Sequence, residues 1–521
     1  MGSVKFSRCF LTAFIDYCLC RVGGGTEVDM ANSKLGLNFD AYKDRVYACW
    51  VGKNIGGTMG APYEGKRELL DVKGFATAAN VVLPNDDLDL QLIWLLAVEK
   101  LGAKAVNTAV LGEFWLSYIV PHWNEYGIGK SNLERGLMSP LSGEYQNDWK
   151  NSNGAWIRTE VWACMAPGCP DIAAKYAMED AKVDHGSGEG TFAAAFVAAM
   201  QSAAFVLKDL RKCIDVGLAK IPKNCRMADS VRTVLQCFDE GKGAVETRNI
   251  ILERNKDIGD GWFEAPSNVS YVLIGLLWGE GDFKKSMITA INCGDDTDCT
   301  AATVGATLGI LGGKAIIPED WQAHIGDDIV TISINRGSQG RGIPKTCTEL
   351  CERVIRQAPH MLFANGDMVD FVDGEDEIPE NILDTFLSNA RYWSVLDAIR
   401  PNTLTFESTF LTVIVSYDGD PEIAPRGEKK LKFTFRNHTG EYDNKLYNLE
   451  LRWWLPEGFS VEGFGKTYRL SHYTPHNRGV CAPFEVTLKA GDHVEPVNRC
   501  VLEITAVGRS VPMYIPIVLL G

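Results

Sequence analysis

The feature that most constrains this chain is a change of hydrophobic period near Arg400-Pro401. From about Phe39 to about Ile399 the apolar residues fall into long Ala- and Leu-rich stretches, Leu88 to Gly102, Asp171 to Lys182 and Gly190 to Leu210, with little strand-like alternation. The run TFAAAFVAAMQSAAF is small and apolar on nearly every side, which predicts a helix enclosed by other helices. After Pro401 the period falls to two: Leu411 to Val415, LKFTF from Leu431, and Tyr447, Leu449, Leu451, Trp453 and Leu455 at alternate positions. Further strands read at Phe484 to Leu488, Val501 to Val507 and Val511 to Leu519, between turn-rich pieces, and predict a β-sandwich. At 521 residues the chain exceeds what one hydrophobic core sustains. The expected organisation is multi-domain α and β: an N-terminal extension over 1–36, with disorder one reading of it, an all-α domain over 37–399, and an immunoglobulin-like sandwich over 400–521.

A formal net charge of −15 argues against a general nucleic-acid binder, which needs clustered Lys and Arg to neutralise phosphates. A phosphate-bearing small molecule stays compatible if a metal or backbone N–H groups help to hold it. The 15 cysteines are scattered, odd in number and form no C-x-x-C pair, so reduced thiols in a cytoplasmic protein are expected. The apolar stretch Cys9 to Cys20 invites a signal-peptide reading, but Asp16 interrupts it and Met30 offers an alternative start. No other apolar run reaches the roughly 20 residues of a membrane span.

Four constellations carry candidate chemistry. Asn85-Asp86-Asp87-Leu88-Asp89 opens a helix; one such side chain suffices as a cap, and the remaining carboxylates repel one another unless a cation or protons relieve them. Gly294-Asp295-Asp296-Thr297-Asp298-Cys299-Thr300 precedes the small-residue run AATVGATLGILGG, which places its acids near the core. Carboxylates from two separate segments suit hard divalent cations, and a pair of ions sharing both loops is a sensible assembly. Gly52, Gly56, Gly57 and Gly60 lay a bare stripe along one helix, fit for close packing, and Glu64 follows them on a loop. Ser152-Asn153-Gly154-Ala155 is followed later by Val183-Asp184-His185-Gly186-Ser187-Gly188-Glu189-Gly190, which caps a buried helix starting near Thr191, where exposed N–H groups can hold an anion; His185 is a candidate substrate contact, with a structural role the alternative.

Taken in order, these elements resemble the motifs of the ADP-ribosylglycohydrolase family over about Tyr42 to Gly313. A G-x-x-x-G-[DG]-x-x-G-x-x-x-E pattern is met by Gly52 through Glu64, [TS]-D-D-T by Asn85 through Leu88, and G-G-D-T-D-T by Gly294 through Cys299. The resemblance implies an all-α fold with a dinuclear magnesium centre, with Ca2+ or Mn2+ as alternative ions. It implies Asn85, Asp86, Asp87, Asp296 and Asp298 as metal ligands, Glu64, Asp87 and Asp296 as catalytic groups, and Asn153, Gly154 and His185 as the lining of the ribose and diphosphate cleft. The sequence departs from the pattern at Asn85, Leu88 and Cys299, where hydroxyl-bearing residues are usual. The expected activity is hydrolysis at the anomeric carbon of a ribose in an ADP-ribosylated substrate or related riboside. The alternatives are an ADP-ribose- or sugar-binding protein without turnover, and a hydrolase of another glycoside whose sandwich stacks sugars on Trp453, Trp454 or Tyr473. The sandwich is also the candidate surface for self-association.

Overall fold

The structure is a computed structural model describing residues 34–259, 261–334, 342–366, 368–388, 400–437, 446–471 and 483–521. The Cys9 to Cys20 stretch, Met30 and Tyr473 lie outside the described residues.

The helical domain is built around two helices in intimate contact. Helix α1 (Phe39–Gly60) starts at Asn38, whose side chain caps the Ala41 N–H, and α7 (Thr297–Gly312) lies against it along its length. Their backbones touch because both carry glycine at the crossing. A Cβ on Gly56 would stand 2.3 Å from the Ala301 carbonyl carbon, and one on Gly60 would stand 2.2 Å from the Thr297 carbonyl oxygen. The Thr297 hydroxyl reinforces that end by donating to the Gly60 carbonyl at 2.9 Å. Around this pair pack α2 (Asp86–Leu101), α3 (Asn124–Glu134), α4 (Pro170–His185), α5 (Glu189–Ala204), α6 (Ala265–Trp278) and α8 (Cys347–Ala364). The Ala-rich α5 is buried over nearly its whole circumference, as its composition predicts.

One feature of the helical domain escaped the sequence. Strand β1 (Leu35–Asn38) pairs in parallel with β2 (Val369–Val372), so residues just before α1 are tied to the chain leaving α8. Four-residue strands are too short to display a period of two.

Among the described residues the C-terminal region forms two antiparallel sheets. One has the order β11 (Met513–Leu520), β10 (Val497–Ala506), β6 (Tyr447–Trp454), β8 (Thr467–Leu470); the other runs β3 (Thr403–Glu407), β4 (Leu411–Tyr417), β5 (Glu428–Asn437), β9 (Phe484–Lys489), β7 (Ser460–Glu462). Alternate residues of β4, β5, β6 and β10 face a shared core, as expected of a sandwich. Trp453 joins that core against Phe433, whereas Trp454 points outward, stacked under Arg452 and donating to Glu503. Leu137, Leu141 and Tyr145 of the helical domain are buried in the same core, and the Tyr145 hydroxyl donates to Glu422.

Among the described residues, no helix is long and apolar enough to cross a membrane, and the cysteines are free thiols, all buried.

Candidate metal centre

Asn85 does what its residue type favours: its Oδ1 accepts from the Asp87 N–H at 2.9 Å and caps α2. Its amide nitrogen is turned toward Gly57, where a Cβ would collide with it. Asp86 and Asp87 occupy the first turn of α2, and Asp296 and Asp298 begin α7, so both helix N-termini present carboxylates to one point. Asp296 leaves its own helix uncapped; its Oδ2 accepts from Asn153 Nδ2 at 2.7 Å. Glu64 approaches from an exposed loop just past α1.

Carboxylate oxygens of Glu64, Asp296 and Asp298 lie within 4.8 Å of one another, and ligand atoms of Asp87, Asp298 and Cys299 form a second grouping of the same tightness. Asp298 belongs to both. Asp296 Oδ1 and Asp298 Oδ1 are buried without a hydrogen-bond partner. The charge of Asp298, ahead of burial and Asp86, pushes Glu64 up to about 8. Burial, then Asp298, pushes Asp86 up to about 7. Burial likewise lifts Asp87 and Asp296 well above the usual carboxylate range. So many carboxylates facing one another need a countercharge, and unpartnered hard oxygens suit a divalent cation such as magnesium.

Asp87 and Asp295 are partnered by protein. The Cys299 thiol donates to Asp87 Oδ1 at 3.2 Å, and Lys53 Nζ stands 3.7 Å from Asp87 Oδ2. Lys53 is fully buried, pairs with Glu160 at 3.2 Å and donates to the Ile157 carbonyl at 2.7 Å. Burial, then the neighbouring carboxylates, raises the Cys299 thiol well above its usual range. Asp295, at φ 69°, accepts from the Phe263 N–H and Asn268 Nδ2 and so shapes the loop.

A cavity of about 340 Å³ opens onto the carboxylates. Its lining includes Glu64, Asp86, Asp296, Asp298, Asn153 and Gly154, together with Trp123, Glu125, Tyr126 and Ile332, which belong to none of the four constellations in the sequence. Asp87, Asn85 and His185 are absent from the lining. His185 is fully buried one layer back: its Nε2 lies 3.2 Å from the Ser152 hydroxyl and its Nδ1 2.9 Å from Asp184. Gly154 makes room for Glu125, since a Cβ there would stand 2.1 Å from Glu125 Oε1. Arg158 underpins this wall, bonded to Asp180, Asp184 and the Gly154 carbonyl. Burial alone would raise Asp184, but Arg158 and His185 hold it at about 2. The only signal for Lys53 is a lone charge between glycines in VGKNIGG; Glu125 and Tyr126 sit in the ordinary surface-like stretch WNEYGIGK.

The ADP-ribosylglycohydrolase family profile matches residues 38–359, well over half of the chain. The chain belongs to the ADP-ribosylglycohydrolase family. A solved structure described as an "ADP-ribosylglycohydrolase-related protein complex" is 19% identical and covers 61% of this family member and 99% of its own chain, at a TM-score of 0.40. Two smaller structures each cover 22% of the chain. The FixG-related protein from Vibrio parahaemolyticus is 12% identical over 97% of its own length, TM-score 0.18. The GAE domain of GGA2p from Saccharomyces cerevisiae is 11% identical over 96%, TM-score 0.16. No curated protein matches.

Proposed function

We propose that this family member is a metal-dependent glycohydrolase that cleaves the bond at the anomeric carbon of a ribose, in an ADP-ribosylated substrate or a related riboside. The observation that carries this reading is the convergence of Glu64, Asp86, Asp296 and Asp298, from three chain segments, on one cavity, with two buried carboxylate oxygens left unpartnered. A bound cation would hold the ribose hydroxyls and stabilise developing charge. The protein's own groups do the rest. Asn153 fixes the Asp296 carboxylate, and the exposed Glu64 at the mouth of the centre orients the attacking water and takes its proton. The bond from C1 to the aglycone breaks with its electron pair going to the leaving group, the water oxygen bonds to C1, and the leaving group takes up a proton from solvent while Glu64 releases the one it accepted, which restores its carboxylate. Asp87, placed behind the cavity, holds this wall together through Cys299 and Lys53.

A second reading concerns the substrate. Among the described residues, the charged side chains lining the cavity are the carboxylates Glu64, Asp86, Glu125, Asp296 and Asp298. These carboxylates favour a riboside bearing a neutral or cationic aglycone. Turnover of an ADP-ribosylated peptide, a nucleoside and a simple riboside, each with and without Mg2+, tests both readings. Metal-dependent hydrolysis of at least one is expected, and binding without release of product from any would leave a ribose-binding protein. Asp296→Ala and Asp298→Ala should each abolish turnover; full activity in both would overturn the assignment.

A further inference from the structure

The two groupings of ligand atoms that share Asp298 are not equivalent. In the grouping of Glu64, Asp296 and Asp298 every donor is a hard oxygen, and Asp296 Oδ1 and Asp298 Oδ1 are buried with no hydrogen bond. In the grouping of Asp87, Asp298 and Cys299 the protein already sets a thiol and an ammonium against Asp87. Asp87 Oδ1 accepts the Cys299 S–H at 3.2 Å, and Oδ2, which makes no hydrogen bond, faces the Lys53 ammonium at 3.7 Å. Nearby Asn85 offers no spare oxygen, because its Oδ1 is spent on the Asp87 N–H. Lys53 has no route to solvent: its side chain is completely buried and anchored by Glu160 and the Ile157 carbonyl. A dication on Asp87 Oδ2 would therefore share that oxygen with a fixed positive charge 3.7 Å from it and stand beside a soft sulfur, both unfavourable to magnesium-like ions.

We infer that this chain holds one divalent ion, at Glu64, Asp296 and Asp298, and that the Lys53 ammonium supplies beside Asp87 the positive charge a second ion would otherwise provide. The inference rests on the cation-binding part of the proposed function and on no particular substrate. The ion is anchored on α7 and the Glu64 loop, and the α2 side of the centre is neutralised by a residue of α1.

The test is a count of Mn2+ on the metal-free full chain by equilibrium dialysis, with electron paramagnetic resonance of the bound ion. One Mn2+ per chain with an uncoupled six-line spectrum is expected. Two per chain, or an exchange-coupled spectrum, would overturn the inference while leaving the proposed hydrolysis standing; no stoichiometric binding would overturn both. Lys53→Met removes the ammonium and should admit a second, coupled Mn2+; a folded Lys53→Met chain that still binds one ion would contradict the role given to Lys53. Because that variant leaves Asp87 and Glu160 buried without their cation, Cys299→Thr provides an independent measurement. It restores a hydroxyl while keeping Lys53 and should remain at one ion, and two ions in Cys299→Thr would likewise contradict the role of Lys53.

Discussion

Asn153 reaches Asp296 without being a carboxylate itself, and its removal separates positioning from ligation. Asn153→Ala frees the Asp296 carboxylate and should weaken divalent-metal affinity by about 10–100-fold with little change in melting temperature, read by calorimetric titration. Ionisation gives a second handle. In metal-free protein Asp86 and Glu64 bind their protons more tightly folded, at about 7 and about 8, than unfolded, at 3.8 and 4.5. Stability contributed by their neutral forms is present at low pH and lost as pH rises from about 4 toward 8, buried Asp86 contributing at most ~1.4 kcal/mol per pH unit and exposed Glu64 less, because solvent screens it. Asp184 works in the opposite direction, since its depressed value loses stability only as pH falls from about 4 toward 2. The melting temperature of chelator-treated protein should therefore decline from pH 5 to pH 8, and saturating Mg2+ should flatten that decline. At this scale the clustered acids and Glu64 were legible because residue type and spacing announce oxygen ligands. Lys53 and Glu125 were not, because a single charge gives no hint of the distant partner that buries it.

Among elements, the seam between α1 and α7 decides whether the centre exists. Glu64 leaves the end of one helix, Asp296 and Asp298 begin the other, and the glycine contacts set their separation. Gly56→Ala would drive a methyl group into the Ala301 backbone, which cannot yield as a flexible side chain would. The expected cost is about 1–3 kcal/mol or more, seen as a lowered melting temperature, together with weakened Mn2+ binding because the two ligand-bearing ends move apart. Spacing in the sequence shows that Gly52, Gly56 and Gly60 make a bare stripe but not which helix fills it; the matching small residues of α7 lie some 240 positions later, and only folding pairs them. In the C-terminal region the alternation of β4, β5 and β6 was plain from sequence. The three- and four-residue strands β7 and β8 were not, since so short a segment shows no period.

For the whole molecule, Leu137, Leu141 and Tyr145 bury themselves in the core of the sandwich, so the two units share hydrophobic surface. Leu141→Asp puts a carboxylate in that shared core, at a cost of several kcal/mol. The intact chain should melt in one calorimetric transition and the variant in two; a variant that keeps a single unchanged transition would show that Leu141 does not couple the two units. The change of period at Arg400-Pro401 revealed that two kinds of structure exist, but Leu141 belongs to a helical region by sequence and to the sandwich by packing, an association that no local pattern encodes. Whether distant carboxylates meet to trap a divalent cation is read from anomalous scattering by crystals soaked with Mn2+. A peak within coordination distance of Glu64, Asp296 and Asp298 is predicted; full-occupancy Mn2+ bound elsewhere, with nothing between these three residues, would contradict it.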